Sequence, residues 1–244
     1  MREGGLDAQQ AVLYHRDVQI KTVFLDAGGV LMDPNWKRVS AALRRQGINV
    51  DSEALSNAEP FAKFRFDEPV RIATTKDEDR WHAYFEHVLT QAGVRATTGI
   101  AEAMTELRAY HAVHNLWERV PSEVPEVLGR LRALGLQLVV VSNANERLRV
   151  SFNRLGLSQY IDVLINSHEE GVEKPDPRLF QIALDRSEAR ADSTVHIGDL
   201  YHVDVVGARA AGVRAVLLDR ADLYTAYNCD RVRGLHELVD LLAA

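Results

Sequence analysis

Five short apolar runs, rich in β-branched residues, punctuate the chain. They are Val23-Phe24-Leu25, Leu136-Gln137-Leu138-Val139-Val140-Val141, Ile161-Asp162-Val163-Leu164-Ile165, Thr194-Val195-His196-Ile197 and Val213-Arg214-Ala215-Val216-Leu217-Leu218. Runs of this length, bounded by glycine or polar residues, predict buried strands. Between the later runs lie segments of helix length. Val124, Val127, Leu128 and Leu131 follow a 3.6-residue period, and Gly135 offers a stop. Asp176-Pro177 reads as an N-cap followed by the first helical residue, opening a helix through Leu184. Residues 205–211 are small and helix-like, and Gly212 ends them. Strands alternating with helices predict an α/β fold, a Rossmann-like doubly wound parallel sheet covered on both faces.

Residues 34–118 break this rhythm. They hold no convincing strand, and helical patterns run over Trp36–Arg45, residues 52–71, Asp77–Gln91 and residues 100–117, punctuated by Gly47, Pro60 and Gly93. The expected organisation is a core of residues 18–33 and 119–244, with a helical domain inserted at 34–118. Residues 1–17 form a polar N-terminal extension without the apolar stretch of a secretory signal.

Composition narrows the function. Of 244 residues 46% are hydrophobic, ample for a core. A net charge of −6 gives no electrostatic footprint for nucleic acid. No apolar run approaches the roughly 20 residues needed to span a bilayer. One cysteine, Cys229, excludes an intrachain disulfide and a cysteine-cluster metal site, and reads as a small packed side chain. A cytoplasmic protein, monomer or homodimer, is expected.

The candidate chemistry sits at the ends of the strands. Asp26 follows the first run and precedes Gly28-Gly29; Ser142-Asn143 follow the second; Lys174 lies in the loop after the third; Asp199 ends the fourth, with Asp204 five residues on. In a parallel sheet these ends share one edge, where open α/β folds bind their ligands. Carboxylates and carbonyls suit a hard divalent cation, and lysine and hydroxyl groups suit phosphate oxygens.

In order and spacing this set resembles the haloacid dehalogenase-like superfamily, in the branch with a helical cap inserted after the first strand. The resemblance runs from Lys21 to the C-terminus and includes Glu173-Lys174-Pro175-Asp176-Pro177 and Gly207-Ala208-Arg209-Ala210-Ala211-Gly212. It implies Asp26 as a nucleophile forming an aspartyl-phosphate, with Gly28, Gly29, Ser142, Asn143 and Lys174 around the phosphate. It further implies Mg²⁺ on Asp26, the Gly28 carbonyl and Asp199, with Asp204 one layer behind. The implied substrate is a small phosphorylated metabolite.

One position departs from the pattern. Phosphatases of this family carry a second aspartate two residues after the nucleophile, which protonates the leaving oxygen; here that residue is Gly28. Three readings follow. The acid could come from elsewhere, with His82, His87, His111 and His114 as candidates by residue type. The reaction could differ. Dehalogenases of the family carry a bulky aromatic at this position and use no metal, which Gly28 and the intact Gly198-Asp199 argue against. Phosphonate-cleaving members use a cap lysine as a Schiff base, which singles out Lys63, Lys76 and Lys37. Last, the protein could bind phosphorylated ligands without turning them over.

Other polar and aromatic residues read more plainly. Asp33 is a turn residue before Pro34, and Asn143 an N-cap of the next helix. His196 is a packed residue and His202 a bystander at the site edge. Trp81, Tyr84 and Phe85 read as core of the inserted helices rather than a substrate box. Arg65, Arg71 and Arg80 read as a solvated face, with an anionic substrate as the alternative.

Overall fold

The computed structural model describes residues 18–68 and 77–243. The polar extension, Arg71 and Lys76 lie outside them. The core is a six-stranded, wholly parallel sheet of β1 (Thr22–Leu25), β4 (Gln137–Ser142), β5 (Val163–Asn166), β6 (Thr194–Gly198), β7 (Arg214–Leu218) and β8 (Asp230–Val232). Their order is β5-β4-β1-β6-β7-β8. Successive residues point to opposite faces. Val23, Leu25, Leu138 and Val140 face one apolar cluster with α5 (Glu123–Ala133), α6 (Leu148–Arg154) and α10 (Leu235–Ala243). Phe24, Val139 and Val141 face another, with α8 (Pro177–Ser187) and α9 (Val206–Ala210).

All five predicted runs are strands. The edge strand β8 is absent from the prediction, because only Val232 of its three residues is buried. Asp176 caps α8 as expected, its Oδ1 accepting from the Arg178 N–H at 2.9 Å.

Between β1 and α5 the chain forms α1 (Trp36–Arg45), α2 (Ser52–Phe66), α3 (Asp77–Gln91) and α4 (Thr98–His114), which share their own apolar cluster around Phe85, Val39 and Leu107. Two corrections apply. Pro60 sits inside α2 instead of ending it, since Leu55, Ala58, Ala62 and Phe66 anchor the helix on both sides of the proline. The segment is not free of strand: β2 (Asp33–Pro34) pairs antiparallel with β3 (Trp117–Arg119) where the chain leaves and re-enters the core. α4 therefore stops at His114, with Asn115 in the left-handed region at φ 63°. Among the described residues no helix is long and apolar enough to cross a membrane.

Candidate active site

Strand register brings the polar residues together. Leu25 pairs with Val140 on one side and Ile197 on the other, so Asp26, Ser142 and Asp199 emerge within two residues of one sheet edge. β1 is central, with the chain crossing to β4 on one side and β6 on the other, which is where a crevice opens in such sheets.

Lys174 is the hub. Its ammonium is 1% exposed and lies 3.0 Å from Asp26 Oδ1 and 2.6 Å from Asp204 Oδ1. Burial alone would neutralise a lysine, but two carboxylates hold it charged and push its pKa up. Asn143 fixes the loop: its Oδ1 accepts from the Lys174 N–H at 2.8 Å, and its Nδ2 donates to the Lys174 carbonyl at 2.9 Å. Asn143 is thus a clasp on Lys174 and not the expected helix cap. The asparagine offers both a donor and an acceptor to the backbone of one residue, and α6 begins five residues later.

Asp26 Oδ1 also accepts from the Ala27 N–H at 2.7 Å, and the nearby Ser142 hydroxyl favours the charged carboxylate. Burial outweighs Lys174 here and pushes the Asp26 pKa up to about 6. Asp204 is more deeply buried than Asp26. Burial opposes its charge, yet Lys174, with a bond from His196 Nε2 at 3.0 Å, holds it well below the usual carboxylate range. Its Oδ2 accepts from the Leu200 N–H at 3.1 Å. His196 is fully buried, as a packed residue should be.

The inserted helices supply a second cation. Lys63 of α2 places Nζ 2.6 Å from Asp199 Oδ2 and 2.8 Å from Glu59 Oε1. Glu59 is 7% exposed and also accepts from the Tyr84 hydroxyl at 2.6 Å. A buried chain from Tyr84 through Glu59 thus holds Lys63 against the sheet edge. Lys37 is exposed on α1. Gly29 makes the approach possible. At φ 76°, a Cβ there would lie 2.0 Å from Asp199 Oδ2 and 2.4 Å from Lys63 Nζ.

Does this donor set fit a divalent cation? Carboxylate oxygens of Asp26, Asp199 and Asp204 lie within 4.8 Å of one another, a hard-oxygen cluster suited to Mg²⁺. Asp204 is spent on Lys174, His196 and the Leu200 amide. Asp26, Asp199 and the Gly28 carbonyl are the donors left, and the Lys63 ammonium already sits on Asp199. Lys63→Met is therefore expected to tighten Mg²⁺ binding at least tenfold by isothermal titration calorimetry. Unit charges about 4 Å apart at a protein surface interact by about 4 kcal/mol, and every 1.4 kcal/mol is tenfold. An unchanged affinity would show that Lys63 does not compete at Asp199.

A cavity of about 190 Å³ opens above Asp26. Asp26, Ser142, Asn143, Lys174 and Asp199 line its floor; Phe66, Arg80, Trp81, Tyr84 and His111 come from the helices, and Trp117 from β3. Trp81 and Tyr84 therefore face the cavity, against the expectation that they are core alone; Phe85 is core. Trp117 packs 5.8 Å from Trp81 and from Tyr84, ring to ring. It also covers Gly28, where a Cβ would meet the indole at 3.4 Å. Of the four candidate histidines, His111 alone lines the cavity. Burial, with Arg108 nearby, pushes its pKa down to about 4, and its Nδ1 accepts from the Leu116 N–H at 3.0 Å. It is neutral at pH 7.

Asp33 lies in β2 with Arg119 at 3.0 Å. His202 is more than a bystander: its backbone N–H donates to Asp67 Oδ1 at 3.0 Å, and its Nδ1 lies 2.8 Å from the Asp67 carbonyl. Cys229 is half-buried beside the second sheet cluster. Lys63, Arg80 and Trp117 carry no strand-end signal; Lys63 and Arg80 are candidates by residue type alone, and only its spatial neighbours reveal Trp117.

The haloacid dehalogenase-like hydrolase family profile matches residues 20–212, which include Asp26, Lys63, Ser142, Lys174, Asp199 and Asp204. The chain belongs to the haloacid dehalogenase-like hydrolase family. Among family members, haloacid dehalogenase-like hydrolase domain-containing protein 3 of Bos taurus is 33% identical over 138 residues. That match covers 57% of this chain and 55% of the relative, so the chain matches only about half of it. Ribulose-1,5-bisphosphate 5-phosphatase of Halopiger xanaduensis is 27% identical over 186 residues, covering 76% of this chain and 77% of that protein. The solved structure of the HAD-hydrolase YfnB from Bacillus subtilis, at 17% identity, superposes with a TM-score of 0.66 over 93% of this chain and all of that one, and shows the fold.

Proposed function

We propose that the protein is a Mg²⁺-dependent phosphatase of a small phosphorylated metabolite, working through an aspartyl-phosphate on Asp26, with residues 34–118 as a cap over the site. The observation that carries this reading is the convergence of Asp26, Lys174 and Ser142 on the floor of one covered cavity. The phosphatase named among the relatives supports it. Mg²⁺, held by Asp26, Asp199 and the Gly28 carbonyl, would supply charge neutralisation on the phosphate oxygens. Lys174 fixes the Asp26 carboxylate and adds positive charge beside the reacting oxygen. An Asp26 oxygen attacks phosphorus, and the bond to the leaving oxygen breaks. Water then hydrolyses the acyl phosphate and restores Asp26.

The leaving oxygen receives no proton from position 28. Trp117 covers that glycine, and the neutral His111 offers no strong acid. Proton transfer is worth about 10²–10⁴ in rate. The expected substrates are therefore phosphates whose leaving groups depart as stable anions. Hydrolysis of 4-nitrophenyl phosphate should exceed that of a simple alkyl phosphate by about 10²-fold or more, and Gly28→Asp should narrow the gap. Comparable rates on the two substrates in the wild type would overturn this.

A second reading, C–P bond cleavage through a lysine Schiff base, has one observation in its favour: Lys63 reaches the site. Burial opposes its charge, but Asp199 and Glu59 raise its pKa above the ordinary lysine value. An ammonium in that state is an electrostatic group, not the free amine a Schiff base requires.

A further inference from the structure

The roof of the cavity holds a cation and a donor that the hydrolytic scheme leaves unused. Arg80, on α3, is 8% exposed and lines the cavity. Its Nη2 donates to Glu173 Oε2 at 2.6 Å. Its Nε is buried with no hydrogen-bond partner among the described residues, and so is Nε1 of the next residue, Trp81. Two orphaned N–H groups on adjacent residues of one cavity wall are unusual, since buried donors are nearly always satisfied. The other cations at the site are committed: Lys174 to Asp26 and Asp204, and Lys63 to Asp199 and Glu59.

We infer that Arg80 and Trp81 form a subsite, on the helical wall of the cavity, for a carboxylate carried by the substrate. The inference rests on the reading of this cavity as the substrate site. An arginine edge and an indole N–H are donors only, so they select an acceptor. The guanidinium fork matches the planar carboxylate. A monoanion suits the balance of charge better than a second phosphate, because Glu173 already offsets Arg80. Met32, Phe66, Trp117 and Leu148 add apolar surface to the same cavity. An aromatic frame carrying the carboxylate can pack against such a surface.

Benzoate and its neutral counterpart benzamide test the subsite without turnover. In calorimetric titrations the wild type should bind benzoate about tenfold more tightly than benzamide, or better, as expected for a charge-assisted bond in a buried site. Arg80→Met should bring the ratio close to one. Trp81→Phe, which keeps the ring packing, should weaken benzoate several-fold and guards against misfolding of the arginine variant. Equal binding of the two probes by the wild type, or a ratio unchanged in folded Arg80→Met, would overturn the subsite. Discrimination between the probes without any aryl phosphatase turnover would keep the subsite and sink the hydrolytic reading. Turnover without discrimination would do the reverse.

Discussion

Lys174→Met is expected to lower folding stability by about 3–5 kcal/mol at pH 7, the usual consequence of removing one partner from a buried ion pair. That is a large part of the 5–15 kcal/mol by which domains are commonly stable. The change leaves Asp26 and Asp204 facing each other with no cation between them. The pH dependence carries the signature. In the wild type the depressed pKa of Asp204 gives stability that is present above about pH 4 and lost as pH falls. In the variant the buried carboxylates have raised pKa values, so its stability falls as pH rises from 4 to 7. The deficit should therefore be largest near neutrality and shrink toward pH 4. Urea unfolding at pH 7 and pH 5 measures it, and a loss below about 1 kcal/mol at both would show that Lys174 is not the hub of the site.

Asp26→Asn should abolish turnover of 4-nitrophenyl phosphate, by at least about 10³-fold, because an amide oxygen is a poor nucleophile. The fold should survive. The amide keeps an acceptor for the Ala27 N–H, and Lys174 keeps Asp204. Burial already raises the Asp26 pKa to about 6, so the charged carboxylate is costly above that pH, and a neutral isostere relieves the cost. Loss of activity with an unchanged or higher melting temperature is the expected pair of results. Retained activity would move the nucleophile elsewhere.

The floor of the site was legible in the sequence because it obeys a topological rule. Asp26, Ser142, Lys174, Asp199 and Asp204 each follow a recognisable apolar run, and parallel strands deliver their ends to one edge. The roof was not. The period of α3 marks Tyr84 and Phe85 equally as buried, and only the structure separates the one that lines the cavity from the one that fills the core. Lys63 is one of three lysines singled out by residue type alone until Glu59 and Tyr84, four residues before it and twenty-one after, are seen to hold it inward. Trp117 reads as the tail of a helix, because a three-residue strand is too short to show a period. β8 escaped for the same reason.

Asp67, the residue that ends α2, accepts from the backbone N–H of Tyr201 and of His202 at 2.6 and 3.0 Å, and from the Tyr224 hydroxyl at 3.0 Å. It lies four residues from Lys63, and its two backbone partners lie between Asp199 and Asp204. The helix that carries Lys63 is thus pinned at one end to the loop that carries Asp199. Lys63 can leave its carboxylate by side-chain rotation while the helix end stays in place. A wider opening of the inserted helices would have to swing about Asp67, or break its bonds to Tyr201, His202 and Tyr224.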